Sequence, residues 1–194
     1  MKLPKIIGIS GTNGAGKDTL GELLAERQGY KFVSVSDILR EELTRQGVAH
    51  EREHLSNLST KWAREHGPSI LSVKTIEVYE KEEDQEGYKG LAIGSIRRPA
   101  EAKAIQDDGG LVLWVDADQK VRYERIKSNG RNRVTDMLPF DEWAAQEERE
   151  MNPGTDDPNV LNMMATKAIC DVVVINDFSN ERDYRDYLIK EFEL

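Results

Sequence analysis

The segment that most constrains this chain is Gly11-Thr12-Asn13-Gly14-Ala15-Gly16-Lys17-Asp18-Thr19. It lies directly between an apolar run at residues 6–10 and an amphipathic run at 17–28. It fits G-x-x-x-x-G-K. Glycines at this spacing let backbone N–H groups turn inward around a polyphosphate, and the start of the following helix adds unpaired donors and a positive dipole end. Lys17 is placed to reach the outer phosphates as a mobile point charge. With 15 glycines in 194 residues the bare pattern arises by chance in roughly one chain in fifteen, and requiring a strand before it and a helix after it cuts that about tenfold. Asp18 stands where the usual pattern has a Ser or Thr that binds Mg²⁺. A carboxylate is also a hard oxygen ligand, so Asp18 is the candidate metal residue, and Thr19 offers a hydroxyl to a phosphate.

Beyond this segment, short apolar runs alternate with longer amphipathic ones, the pattern of an α/β fold around a parallel sheet. Strands are predicted at 6–10, 32–35, 91–93, 111–115 and 172–175. All are near-continuously apolar, as strands buried on both faces must be. Helices are predicted at 17–28, 37–45, 53–65, 69–83, 100–106, 120–126, 140–150, 160–168 and 181–192. Ser36-Asp37 and Pro139 are read as helix starts, and 128–138 and 152–158 as mobile loops.

A chain of 194 residues suits one domain with a real core, and its single cysteine excludes an internal disulfide or a multi-cysteine zinc site. The net charge of −9 argues against a protein built to grip nucleic acid. No apolar run approaches the ~20 residues of a membrane span, and the start of the chain carries no leader pattern, so a cytoplasmic protein without a membrane partner is expected. Histidines 50, 54 and 66 show no metal spacing.

Four stretches resemble the P-loop kinases of small phosphorylated metabolites: the nucleoside monophosphate kinase group, including adenylate-kinase-related proteins and dephospho-CoA kinases. The first is the glycine-rich segment itself. The second is Phe32-Val33-Ser34-Val35-Ser36-Asp37-Ile38-Leu39-Arg40, similar to the family's segment ending Gly-Asp-Leu-Leu-Arg. The third is Ile93-Gly94-Ser95-Ile96-Arg97-Arg98-Pro99-Ala100-Glu101, similar to Asp-Gly-Ile-Arg or Gly-Phe-Pro-Arg after the third strand. The fourth runs from Arg122-Tyr123-Glu124-Arg125 through Arg131-Asn132-Arg133 to Glu148-Arg149-Glu150, and resembles an arginine-bearing lid with its following helix. The resemblance implies a three-layer α/β/α sandwich with a five-stranded parallel sheet, the P-loop NTPase fold. It also implies helical acceptor-binding and lid insertions, at about 36–85 and 128–150.

ATP and Mg²⁺ are then the expected cofactors. Residues 11–19, with Arg125 and Asn176, would bind the nucleotide. Asp37, Arg40 and Arg97 would hold the acceptor, and Lys17, Arg97, Arg131 and Arg133 would act at the transferring phosphoryl group. Arginine suits these places because its planar fork grips phosphate oxygens bidentately. Gly94 departs from the family, which often carries a metal-holding Asp there. Asp116 is a second metal neighbour or a cap of the next helix. The acceptor is a nucleoside or deoxynucleoside monophosphate. The alternative is a ribose hydroxyl, as in dephospho-CoA kinases, with Asp37 as base. A nucleotide-dependent switch or ATPase acting through a protein partner is the reading from another class. Monomer and homodimer both stay open.

Overall fold

Neighbouring residues of the first apolar run go to opposite faces of one sheet: Ile6 packs into one core, Ile7 and Ile9 into the other. The same split recurs at Leu91/Ala92 and Val112/Leu113, which is why these runs are apolar throughout rather than alternating. The computed structural model describes residues 2–128 and 138–194. Five strands, β1 (Ile6–Gly11), β2 (Tyr30–Ser34), β3 (Gly90–Ile96), β4 (Leu111–Asp116) and β5 (Val172–Ile175), pair in parallel in the order β2-β3-β1-β4-β5.

Nine helices are described: α1 (Lys17–Gln28), α2 (Val35–Arg45), α3 (Arg52–His66), α4 (Ile70–Glu86), α5 (Pro99–Asp107), α6 (Gln119–Ser128), α7 (Phe140–Met151), α8 (Met163–Ala168) and α9 (Glu181–Phe192). One face of the sheet is covered by α1 and α9, through Leu20, Leu23, Leu24, Tyr184, Leu188 and Phe192. Side chains of α2 to α5 cover the other, including Leu39, Leu58, Leu71, Tyr79 and Ile105. A small separate cluster of Tyr123, Ile126 and Trp143 joins α6 to α7, with Phe140 edge-on to Tyr123 at 5.3 Å. Among the described residues no helix is long and apolar enough to cross a membrane.

Three boundaries differ from the sequence reading for local reasons. Helix α2 begins at Val35, with extended Ser34 as its cap, so Ser36-Asp37 lies inside the first turn. Helix α8 begins only at Met163, because the Asn162 side chain accepts from the Ala165 N–H (2.9 Å) and fixes the start there. Strand β3 runs three residues past its expected end and bulges: Ile9 pairs with Gly94 and Ser10 with Ile96, leaving Ser95 as the extra residue at φ 67°. The loop at 152–158 is present but tied down, since Asp157 accepts from Arg64 and from Asn159. The other expected mobile loop, at 128–138, falls almost wholly outside the described residues.

Candidate active site

The glycine-rich segment wraps the carboxyl end of β1 and leads into α1, the edge at which parallel α/β sheets place ligands. Gly11, Gly14 and Gly16 all have positive φ. A Cβ on Gly11 would lie 2.0 Å from the Val115 carbonyl oxygen, and one on Gly16 would lie 2.6 Å from the Asn176 amide nitrogen. Helix α1 has no side-chain cap, which leaves its first N–H groups aimed at the loop. Asn13, Gly14, Gly16, Lys17, Asp18 and Thr19 line a cavity of about 540 Å³, whose far wall carries Arg125, Asn176 and Tyr184. Gly11, Thr12 and Ala15 are buried behind it as support.

Lys17 donates to the Thr12 carbonyl at 2.7 Å, and the Thr12 hydroxyl donates to Asp116 at 2.9 Å. Burial pushes the Lys17 ammonium down to about 8. Asp18 opposes this, while Arg97, Arg122 and Arg52 add to it. Asp116 does not cap α6; Asp118 does, accepting from the N–H groups of Lys120 and Val121. Asp116 instead accepts from Thr12, Trp114, Lys167 and the Ala117 N–H. Burial alone would raise its carboxyl, but the hydrogen bonds from Trp114, Lys167 and Thr12 prevail and hold it below the usual carboxylate value. It is thus the brace behind the loop that carries Lys17.

Arg122 and Arg125 share a helix but separate in role. Arg122 is buried, pairs bidentately with Glu147 of α7, and donates to the Ala117 and Asn13 carbonyls. Arg125 turns to the loop after β5, donating to the carbonyls of Asn176 and Phe178, while its other terminal nitrogen is buried beside the large cavity with no partner among the described residues. The Asn176 side chain in turn donates to the Ala15 carbonyl at 2.8 Å.

A second cavity, of about 70 Å³, opens on the other side of the glycine-rich loop. Asn13 lines both cavities. The wall of the second carries Arg40, Arg52, Arg97 and Arg98, with Glu101 and Glu150 and the hydroxyls of Ser36, Ser56, Ser59 and Ser95. Arg40 reaches this wall from α2, and Arg97 stands just past the end of β3. Asp37 is not in the wall: it sits on the outer side of α2, well exposed, and is paired with Arg40. Arg131 and Arg133 lie outside the described residues.

Two arginines of the second cavity escaped the sequence reading. Arg52 is the first residue of α3, where a cation opposes the helix dipole, and that misplacement was the available signal. Arg98 is fully buried and bonded to Asn159, Ser59 and Glu101. Its signal was Pro99 and Glu101 just after it: Glu101 accepts from the backbone N–H groups of Arg97 and Arg98, at 2.9 and 3.0 Å, and sets the start of α5. Among the described residues no group of three or more His, Cys, Asp or Glu could hold a metal ion.

A family model described as an AAA domain matches residues 7–137. A UPF0200 protein of Sulfurisphaera tokodaii is 32% identical over 185 residues, covering 93% of this chain and 92% of that one. The chain belongs to the AAA-domain family and to the UPF0200 proteins. A further UPF0200 protein, from Methanococcus maripaludis, is 26% identical over 187 residues, 95% of this chain and 92% of its own. Among solved structures, shikimate kinase from Bacteroides thetaiotaomicron superposes with a TM-score of 0.61 at 14% identity, covering 97% of this chain and 96% of that one. Shikimate kinase from Acinetobacter baumannii, in complex with shikimate, gives 0.53 at 14% identity over 97% and 91%. This UPF0200 chain thus has the α/β P-loop fold that those kinases share, with a five-stranded all-parallel sheet flanked by helices.

Proposed function

We propose that this chain is a phosphotransferase that moves the γ-phosphoryl group of ATP to a small phosphorylated acceptor, a nucleoside or deoxynucleoside monophosphate. One observation carries the reading: two cavities meet at Asn13, one lined by the glycine-rich loop and Lys17, the other by four arginines. An ATPase or a switch has no use for the second. In-line transfer between two anions needs both, with cations gathered where they touch.

The donor cavity is fitted to a triphosphate by its glycine backbone, the free start of α1, Lys17, and the spare buried N–H of Arg125. Asp18 and Thr19 are the oxygen-bearing side chains that would hold Mg²⁺, which when bound neutralises phosphate charge. Gly94 offers no carboxylate, so Asp18 takes that duty from a different position. Lys17 exchanges the Thr12 carbonyl for the γ-phosphate oxygens. Arg40, Arg52, Arg97 and Arg98 hold the acceptor's phosphate against them. An acceptor oxygen attacks the γ-phosphorus as its bond to the bridging oxygen breaks, and ADP departs. Arg131 and Arg133, in the lid assigned to 128–150, would close over the moving group and exclude water, while α2 to α4 cover the acceptor.

A hydroxyl acceptor calls for a base. Asp37, the expected one, lies outside the acceptor cavity and is engaged by Arg40, while Glu101 in its wall is saturated by two backbone N–H groups and Arg98. That favours an acceptor oxygen that is already anionic. The test is coupled ADP release from Mg–ATP, screened across nucleoside monophosphates and dephospho-CoA. A monophosphate is expected to raise the rate at least tenfold over ATP alone, whereas the same rate without any acceptor contradicts the proposal.

A further inference from the structure

Glu150 is a carboxylate in a cavity otherwise built for anions. It is the penultimate residue of α7, an end where the helix dipole disfavours negative charge. Its position is held from outside the helix: one oxygen accepts from Arg52 at 2.6 Å and from Arg97 at 3.1 Å, and its other oxygen stands 2.5 Å from the Arg52 Nε. Arg52 opens α3 and Arg97 follows β3, so no other described contact brings these two guanidiniums together. Glu101, the second carboxylate of the wall, is saturated by two backbone N–H groups and Arg98, and is fixed. Arg98 keeps one buried terminal nitrogen with no partner among the described residues, on the same wall. Four arginines against Glu101, Glu150 and the Asp37 that pairs with Arg40 leave one uncompensated positive charge and a spare donor.

We propose that Glu150 is the resident counter-anion of this cavity, displaced by the phosphate dianion of the acceptor, and that it sets the cavity's preference for dianions. This rests on reading the cavity as the acceptor site. With no ligand, the Glu150 carboxylate keeps two like charges from repelling each other. A monoanionic carboxylate that replaces it exchanges one charge for one and gains little. A phosphate brings two charges and enough oxygens to take Arg52, Arg97 and the free N–H of Arg98 at once. Displacement also releases the carboxyl end of α7, while its middle stays fastened to Arg122 through Glu147. Glu150 is thus a specificity residue that acts by competing with the ligand for the arginines.

The probe is inorganic phosphate, titrated calorimetrically into the full chain as wild type, Glu150→Gln and Arg52→Gln/Glu150→Gln. Removing the competing carboxylate is expected to tighten phosphate binding about tenfold, the scale of one charge-assisted hydrogen-bonded contact, with the gain lost in the double variant. Glu150→Ala, checked for native circular dichroism, is expected to behave like Glu150→Gln. Equal or weaker binding by the single variants overturns the inference and leaves the acceptor site standing. Equal phosphate affinity in Glu150→Gln and Arg52→Gln/Glu150→Gln overturns the acceptor-site reading as well, because the ion then sits at the glycine-rich loop alone.

Discussion

Lys17 concentrates the chemistry of the donor cavity, and its titration gives a measurable handle. With its value near 8, Lys17 is largely neutral at pH 9 in the free protein. Phosphates next to it favour the charged form, so binding must then take up a proton. The sign reverses nowhere: below about pH 7 the lysine is charged both free and bound, and no uptake is expected. Titrating Mg–ATP at pH 9 in buffers of differing ionisation enthalpy should therefore show an uptake approaching one proton, absent at pH 6.5 and absent in Lys17→Ala. The same substitution should lower turnover on the order of 10²–10³, as loss of one preorganised donor does. At this scale the glycine-rich segment was legible because its residues are neighbours in the chain. Arg52 and Arg98 were not, because only the folded arrangement brings residues from α3 and the β3–α5 turn to one wall.

Between elements, the join that matters most is α6 to α7. Arg122 and Glu147 are both buried, and Arg122 reaches on to the Asn13 carbonyl, so α7 is tied to the glycine-rich loop by one guanidinium. The ring of Trp143 lies against the same group, 5.5 Å from it. Replacing Glu147 by Leu strands a buried charge, which costs about 3–5 kcal/mol. For a chain of this length that lowers the melting temperature by roughly 6–20 °C, readable by calorimetry or circular dichroism. Replacing Glu142, on the exposed first turn of α7, should leave it within about 1–2 °C. The spacing of three residues predicts Arg122 and Arg125 on one face of the helix at 120–126. Packing separates them, because the nearest carboxylate to the first is on α7 and the nearest carbonyls to the second follow β5. In β1, β3 and β4 burial on both faces writes itself into the sequence as unbroken apolar runs, whereas β5, at the sheet's edge, is as apolar but leaves Val173 and Ile175 exposed, against that expectation. The β3 bulge left one mark, the glycine at 94 inside an apolar run, beside which the register shifts.

Across the whole molecule, the glycine-rich loop divides a larger cavity on the α1–α9 side, proposed to take the donor, from an arginine-walled cavity under α2 and α3, with Asn13 on both walls. The α/β order and the parallel sheet followed from alternating runs, but the existence of a second cavity did not, since it is a property of how α3 and α7 face each other. Amide-resolved NMR of the labelled chain tests the division most directly. Mg–ATP should shift the amides of residues 13–19 and of Asn176, and a nucleoside monophosphate added afterwards should shift a different set, at Arg40, Arg52, Arg97 and Arg98, with Asn13 responding to both. Perturbation of one common set by both ligands, or none around the arginines, would contradict it.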